Sequence, residues 1–319
     1  MPLDPQAHAL LEQQAQANAP GYEFLGVEQA RALYEARAAM NMPSVAVAEV
    51  FDMQTDGPGG TLPLRVYRAY GSKESEKLPA LVYFHGGGWV LGNLDTHDPI
   101  CRELANMAHC AVIAVAYRLS PEHKFPQPVE DAIAATRWVA ANAEALRIDA
   151  ERIAVGGDSA GGTMAAVICL EFRDTGGPKI AMQVLIYPPA DLLADTASHR
   201  DFAKGYGLTR DSVLWLRGHY IRDEADPLDW RCSPLRAADH CNLPPAYILT
   251  AGFDTLRDEG RLYAEALHRA GVITTYECFE GMVHGFINLG RVLAGAHHAL
   301  YRVAQALKAV FEPTQPRRA

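Results

Sequence analysis

Six short apolar runs punctuate the chain: PALVYF (79–84), AVIAVAY (111–117), RIAVG (152–156), MQVLIY (182–187), AYILTA (246–251) and VITTYECF (272–279). Most are separated by stretches with helical apolar spacing. A strand that is apolar at successive positions must be covered on both faces, and helices lying between such strands supply the cover. The alternation therefore predicts an α/β chain with a mostly parallel sheet. Upstream, from about residue 47, AVAEVFDM and TLPLRVYRA flank a segment containing DGPGG and predict a hairpin, for eight strands in all.

One connection breaks the alternation. Between MQVLIY and AYILTA lie roughly sixty residues, against the two to six usual between elements of α/β units. They include Phe202, Tyr206, Leu208, Leu214 and Trp215, apolar side chains that need something to cover. Residues 1–45 carry a helical stripe of Val27, Ala30, Tyr34 and Ala38, with Leu33 beside it. We expect residues 1–45 to form the N-terminal helical part of a cap. Residues 46–319 then form the catalytic domain, with a cap insertion at roughly 190–230. No internal repeat or low-complexity segment interrupts this plan.

The stretch GGDSAGG (156–162) follows RIAVG directly and precedes TMAAVICLEF, which suits a buried helix. Strand, tight turn and helix form the context of a nucleophile elbow, GxSxG, here Gly157 to Gly161 around Ser159. A serine hydroxyl is a weak nucleophile at neutral pH and needs a base held against it, itself oriented by an acid. In hydrolases of this design the three follow in the order Ser, Asp or Glu, His. Asp254 lies just past AYILTA, and His284 lies in a loop beyond the last strand, whereas His268, His297 and His298 fall within helical patterns. Asp258 is better explained as a carboxylate at a helix N-terminus. After PALVYF comes HGGGWV (85–90), whose three glycines leave backbone N–H groups unobstructed for a developing oxyanion. A phosphate cradle is the competing reading, but no GK[ST] follows and GxGxxG is absent.

Composition trims the alternatives. A formal net charge of −9 argues against nucleic acid, which needs concentrated Lys and Arg. The six cysteines show no CxxC pair and read as scattered thiols of a reducing compartment. No basic start with an apolar stretch marks a signal peptide, and no apolar run is long enough for a membrane span, so a cytoplasmic protein without a membrane partner is expected. No HExxH or similar metal spacing appears.

HGGGWV, YRLSPEHKFP (117–126), GDSAGG, YPPAD (187–191), AGFDTLRDEG (251–260) and VHGF (283–286) together resemble the bacterial esterases of the hormone-sensitive lipase group within the α/β-hydrolase fold. The resemblance implies a carboxylesterase on short to medium acyl esters, without a cofactor. Carried onto this chain, it makes Ser159 the nucleophile, His284 the base and acid, and Asp254 the orienting carboxylate. The oxyanion donors would be the N–H groups of Gly87, Gly88 and Ala160. The family usually writes YRLAPE and DPLRDEG where this chain has Ser120 and Thr255; neither departure replaces a site residue. A homodimer through the edge strand VITTYECF is a further expectation from the family. An amidase or peptidase would use the same groups, and a non-catalytic small-molecule-binding protein on this fold is disfavoured because all three triad residues are present. Trp89, Phe202, Tyr206, Leu214 and Trp215 are candidates to line a pocket, each alone better explained by packing.

Overall fold

A computed structural model describes residues 1–18 and 20–312; position 19 and residues 313–319 of the two expected segments lie outside the described residues. Eight strands form one sheet: β1 (Glu49–Gly57), β2 (Gly60–Arg68), β3 (Leu78–Phe84), β4 (Ala111–Val115), β5 (Ile148–Asp158), β6 (Ile180–Ile186), β7 (Ala246–Phe253) and β8 (Thr274–Val283). Their spatial order is β1-β2-β4-β3-β5-β6-β7-β8. β1 and β2 form the expected hairpin, with Gly57 opposite Gly60, and β2 runs antiparallel to β4. From β4 and β3 to β8 every pair is parallel.

The helices that cover the sheet are α3 (Asp98–Ala108), α4 (Gln127–Ala141), α5 (Ala160–Thr175), α8 (Arg257–Arg269) and α9 (Ala294–Phe311). β3 shows why its sequence is apolar throughout. Ala80, Val82 and Phe84 pack with Val129 and Ala132 of α4 and Met164 of α5, while Leu81 and Tyr83 pack on the other face with Leu104 of α3 and Leu300 of α9. Alternate side chains enter two separate cores, so neither face can be polar. The sheet thus positions the strand ends on which the site is built.

The remaining helices lie outside this plan: α1 (Pro5–Ala17) and α2 (Val27–Ala36) from the N-terminus, α6 (Ala197–Asp201) and α7 (Arg210–Tyr220) between β6 and β7. Asp4 caps α1, its carboxylate accepting from Gln6 N at 2.8 Å, with Pro5 opening the helix. The N-terminal stripe buries Ala30 and seats Val27, Leu33 and Tyr34 against Tyr22, Val90, Leu91 and Leu216 of α7. The helical reading to residue 45 overshoots, because regular structure stops at Met40. Pro43 disfavours a helical conformation in the residue before it, and Asn41 is instead buried, donating from Nδ2 to Thr96 O at 2.8 Å.

All six cysteines are unpaired. Among the described residues no helix is long and apolar enough to cross a membrane.

Candidate active site

β5 ends at Asp158 and α5 begins at Ala160, leaving Ser159 alone at the turn with φ 53° and ψ −121°. Non-glycine residues rarely take such a conformation, and its strain persists because the surroundings fix it. Ser159 N donates to Ile186 O at 2.8 Å, fastening the turn to β6. The flanking glycines are required by close approach: a Cβ on Gly157 or Gly161 would stand 2.2 or 1.8 Å from Phe84 O at the end of β3.

The two partners expected from sequence arrive from neighbouring strand ends. Asp254 follows β7, and its Oδ1 accepts from Leu256 N at 2.9 Å. Its other oxygen faces His284 Nδ1 at 2.8 Å, and His284 Nε2 lies 3.1 Å from Ser159 Oγ. A carboxylate accepts only, so Nδ1 carries the ring hydrogen and Nε2 presents its lone pair to the serine hydroxyl. Asp254 and Ser159 are buried, and His284 is nearly so.

The glycine loop after β3 runs alongside. Gly87 and Gly88 have φ of +121° and +61°, and a Cβ on Gly87 would lie 2.1 Å from Leu91 O. Among the described residues, the N–H groups of Gly87, Gly88 and Ala160 have no hydrogen-bond partner. Beneath the loop, Asp158 accepts from Gly86 N at 2.9 Å and from Tyr83 Oη at 2.8 Å. Burial alone would raise the Asp158 pKa, but His97, Tyr83 and the Gly86 N–H outweigh it and bring it down to about 2. His85 moves down to about 3, pushed by burial and by the neighbouring His97.

A cavity of about 150 Å³ opens above Ser159, lined by Leu10, Tyr22 and Tyr34 from the N-terminal segment, Trp89 from the glycine loop, and Val213 and Leu216 from α7. Of the five aromatic and leucine candidates only Trp89 reaches it, stacked on Tyr220 at 4.1 Å. Phe202 and Tyr206 pack on each other and on Phe253, Trp215 packs on His219, and Leu214 is exposed. Aromatic content marks where cover is needed, not which side chain turns inward.

Asp258 lies in the first turn of α8, as expected, but it does more than face the helix dipole. It accepts from Ser198 N at 3.0 Å, and the next residue, Glu259, accepts from Ala190 N and Asp191 N at 2.8 and 2.7 Å and faces His199 Nε2 at 3.2 Å. This acidic pair anchors the start of the long β6–β7 connection. Sequence reasoning missed it, together with His97, Tyr187 and Asn288 around Asp158; the one available signal was an acidic side chain inside a glycine-ringed turn. Among the described residues no group of three or more His, Cys, Asp or Glu side chains could hold a metal ion.

The family model for the alpha/beta hydrolase fold matches residues 81–288. The chain is 43% identical over 277 residues to the carboxylic ester hydrolase LipN of Mycobacterium tuberculosis, covering 85% of this chain and 73% of the relative. It is 40% identical over 257 residues to an ethyl acetate hydrolase of Pseudomonas putida, covering 80% of each. Among solved structures, the ester hydrolase EH1AB1 from the metagenome of Lake Arreo, complexed with a bipyridine phosphonate derivative, superposes with a TM-score of 0.94 at 43% identity, over 97% of this chain and 99% of that one.

Proposed function

The chain belongs to the α/β-hydrolase family, among its hormone-sensitive-lipase-type esterases, and is a carboxylesterase; on that premise we propose that Ser159 is its nucleophile, His284 its base and acid, and Asp254 the carboxylate that orients the imidazole. The observation that carries the assignment is the row of 2.8 and 3.1 Å contacts joining three side chains from separate strand ends. His284 Nε2 takes the Ser159 proton as Oγ attacks the ester carbonyl. The carbonyl oxygen becomes an oxyanion facing the N–H groups of Gly87, Gly88 and Ala160. Such donors bind the oxyanion more strongly than the neutral carbonyl, each lowering the barrier by about 2.7–4 kcal/mol. His284 then passes its proton to the leaving alcohol, and water repeats the sequence on the acyl-enzyme. Asp254 stabilises the imidazolium that forms on the way.

The acyl group is short to medium in this reading. The cavity is about 150 Å³, similar to an engineered cavity that holds benzene, and one relative is named for the hydrolysis of ethyl acetate. Residues 1–45 and roughly 190–230 act together as the cap, supported by the small core that α2 shares with α7. A homodimer through β8 is favoured by its edge position and by exposed Ile273 and Tyr276; a monomer mass by light scattering would remove it. Six unpaired cysteines favour the cytoplasm.

Two measurements test the site. An organophosphonate should label Ser159 stoichiometrically and abolish activity, and an aryl ester should turn over far faster than the matching anilide. Labelling at another residue would overturn the assignment, and dominant anilide turnover would make the chain an amidase.

A further inference from the structure

Asp158 and His97 form a buried pair that the triad chemistry does not use. Both side chains are 2% exposed, with His97 Nε2 3.2 Å from Asp158 Oδ1. The protonation of His97 follows from counting hydrogens. Thr96 Oγ1 stands 2.8 Å from Asn93 O. Two oxygens so close need a hydrogen between them, and a carbonyl cannot supply it. The Thr96 hydroxyl has therefore spent its only proton. At 2.9 Å from His97 Nδ1, the same Oγ1 can only accept, so Nδ1 carries a hydrogen. On the other side of the ring, Asp158 Oδ1 already accepts from Gly86 N–H and Tyr83 O–H. Its Oδ2, 3.4 Å from Nε2, faces two further donors, Tyr187 Oη and Asn288 Nδ2, so the carboxyl group carries no hydrogen of its own and Nε2 must donate to it. A ring with a hydrogen on both nitrogens is an imidazolium.

The surroundings fit a single charge of each sign. Asp158 meets Tyr187 Oη and Asn288 Nδ2 at 3.4 Å each, both donors. His85, whose ring lies 5.5 Å from that of His97, directs Nδ1 at Gly86 O at 2.8 Å, and its depressed pKa keeps it neutral. Tyr83 also flanks His97, at 6.4 Å between rings, and Tyr117 stacks on His85. Asp98, next to His97 in the chain, is occupied by Arg102 and Ser44. Asp158 is thus the carboxylate that faces His97, and no other cation is in contact with it among the described residues.

We propose that His97 is a positioning residue held as an imidazolium at neutral pH, neutralising the Asp158 carboxylate that clamps the glycine loop above Ser159. Gly86 joins the two ends of this device. Its N–H is fixed by Asp158, the residue before Ser159, and a Cβ at Gly86 would stand 2.4 Å from Asp158 Oδ2. The N–H groups that follow, on Gly87 and Gly88, are thereby set relative to the nucleophile. An uncompensated carboxylate at Asp158 would repel the oxyanion those groups must stabilise. His97 removes that repulsion while leaving the clamp in place. The inference rests on reading Gly87 and Gly88 as oxyanion donors.

Nuclear magnetic resonance of the intact, ¹⁵N-histidine-labelled protein at pH 7.5 tests the charge directly. One of the twelve histidines should show both ring nitrogens protonated, with slowly exchanging hydrogens, and this signal should vanish in His97→Gln. A neutral ring at position 97 would overturn the proposal, whether or not any variant folds. Kinetics tests the role. His97→Gln should lower kcat about 10- to 100-fold with KM held within about threefold, at an unchanged circular dichroism spectrum. Adding Asp158→Asn removes the stranded charge yet keeps an oxygen for Gly86 N–H, so the double variant should run several-fold faster than His97→Gln alone. Multiplying losses would indicate mere structural damage and sink the idea. Organophosphonate labelling of the parent runs alongside: an unlabelled Ser159 would bring down the catalytic reading on which this one stands, whereas a labelled, active parent with a neutral His97 overturns this inference alone.

Discussion

The two layers that meet at the cavity are built differently. Below it, Ser159, Asp254 and Asp158 stand on strand ends, buried, each held by named hydrogen bonds to backbone or side chain. Above it, α2 and α7 join through a small cluster around Ala30 and Leu216, while α1 buries Ala7 and Leu10 in the main core. There Tyr22 Oη and Arg217 Nε are buried without a hydrogen-bond partner among the described residues, and Leu214 and Phe24 are exposed. Chemistry requires groups fixed to fractions of an ångström. Choosing among acyl groups requires only shape, and a loosely joined layer can vary its shape without disturbing the strand ends below.

If that division is right, changes below should act on rate and changes above on selectivity. The largest effect belongs to Ser159→Ala, expected to cut kcat by about four to six orders of magnitude while thermal unfolding shifts little. Any cap substitution of comparable effect would erase the contrast. Next comes Gly87→Ala, which puts a Cβ into Leu91 O at a φ of +121°; steady-state kinetics should show kcat down about 100- to 1000-fold.

The acid response of the lower layer is smaller. Folded His85 titrates at about 3 instead of 6.5, so between these values the unfolded chain binds a proton that the folded chain refuses, and stability falls as pH drops. The slope is at most about 1.4 kcal/mol per pH unit, readable from urea midpoints between pH 6 and 4. A midpoint that rises on acidification would contradict the burial of a neutral His85. Smallest is Leu216→Ala in the upper layer. It should enlarge the cavity and shift preference towards longer acyl chains about tenfold, with kcat on the shortest ester within about threefold. A loss of rate on every ester alike would show that the upper layer also sets the chemistry.

The same division decides what could be read from the sequence. β3 and the stretch from Ile153 to Val155 in β5 were legible because their residues are buried and apolar on both faces, whereas Asp149 and Glu151 near the start of β5 are polar and went unread. Ser159 and His284 were legible because the turn needs glycine at 157 and 161 and because the order of the three groups is fixed by the strand ends that carry them. Legibility ended where a role depends on which face of a helix turns inward. Phe202 and Tyr206 were candidates for the pocket but found Phe253 instead, while Leu10 and Val213, unremarked in the sequence, line it. His97 is the extreme case. Its neighbours in the chain carry no pattern, and its partner is 61 positions away.

One departure from the family's usual spelling acquires a mechanical meaning. Where the family writes proline after the acid, this chain has Thr255, whose hydroxyl approaches Phe202 O and Leu208 O at 2.9 and 3.1 Å, and Ser198 Oγ returns a bond to Thr255 O. The segment around α6 is therefore stitched to the very turn that bears Asp254, and it cannot swing outward without tugging on that carboxylate. α1 is tied as well, Asp4 N donating to Gly281 O of β8, so any breathing that admits an ester falls to α2 and α7, which share only a small core.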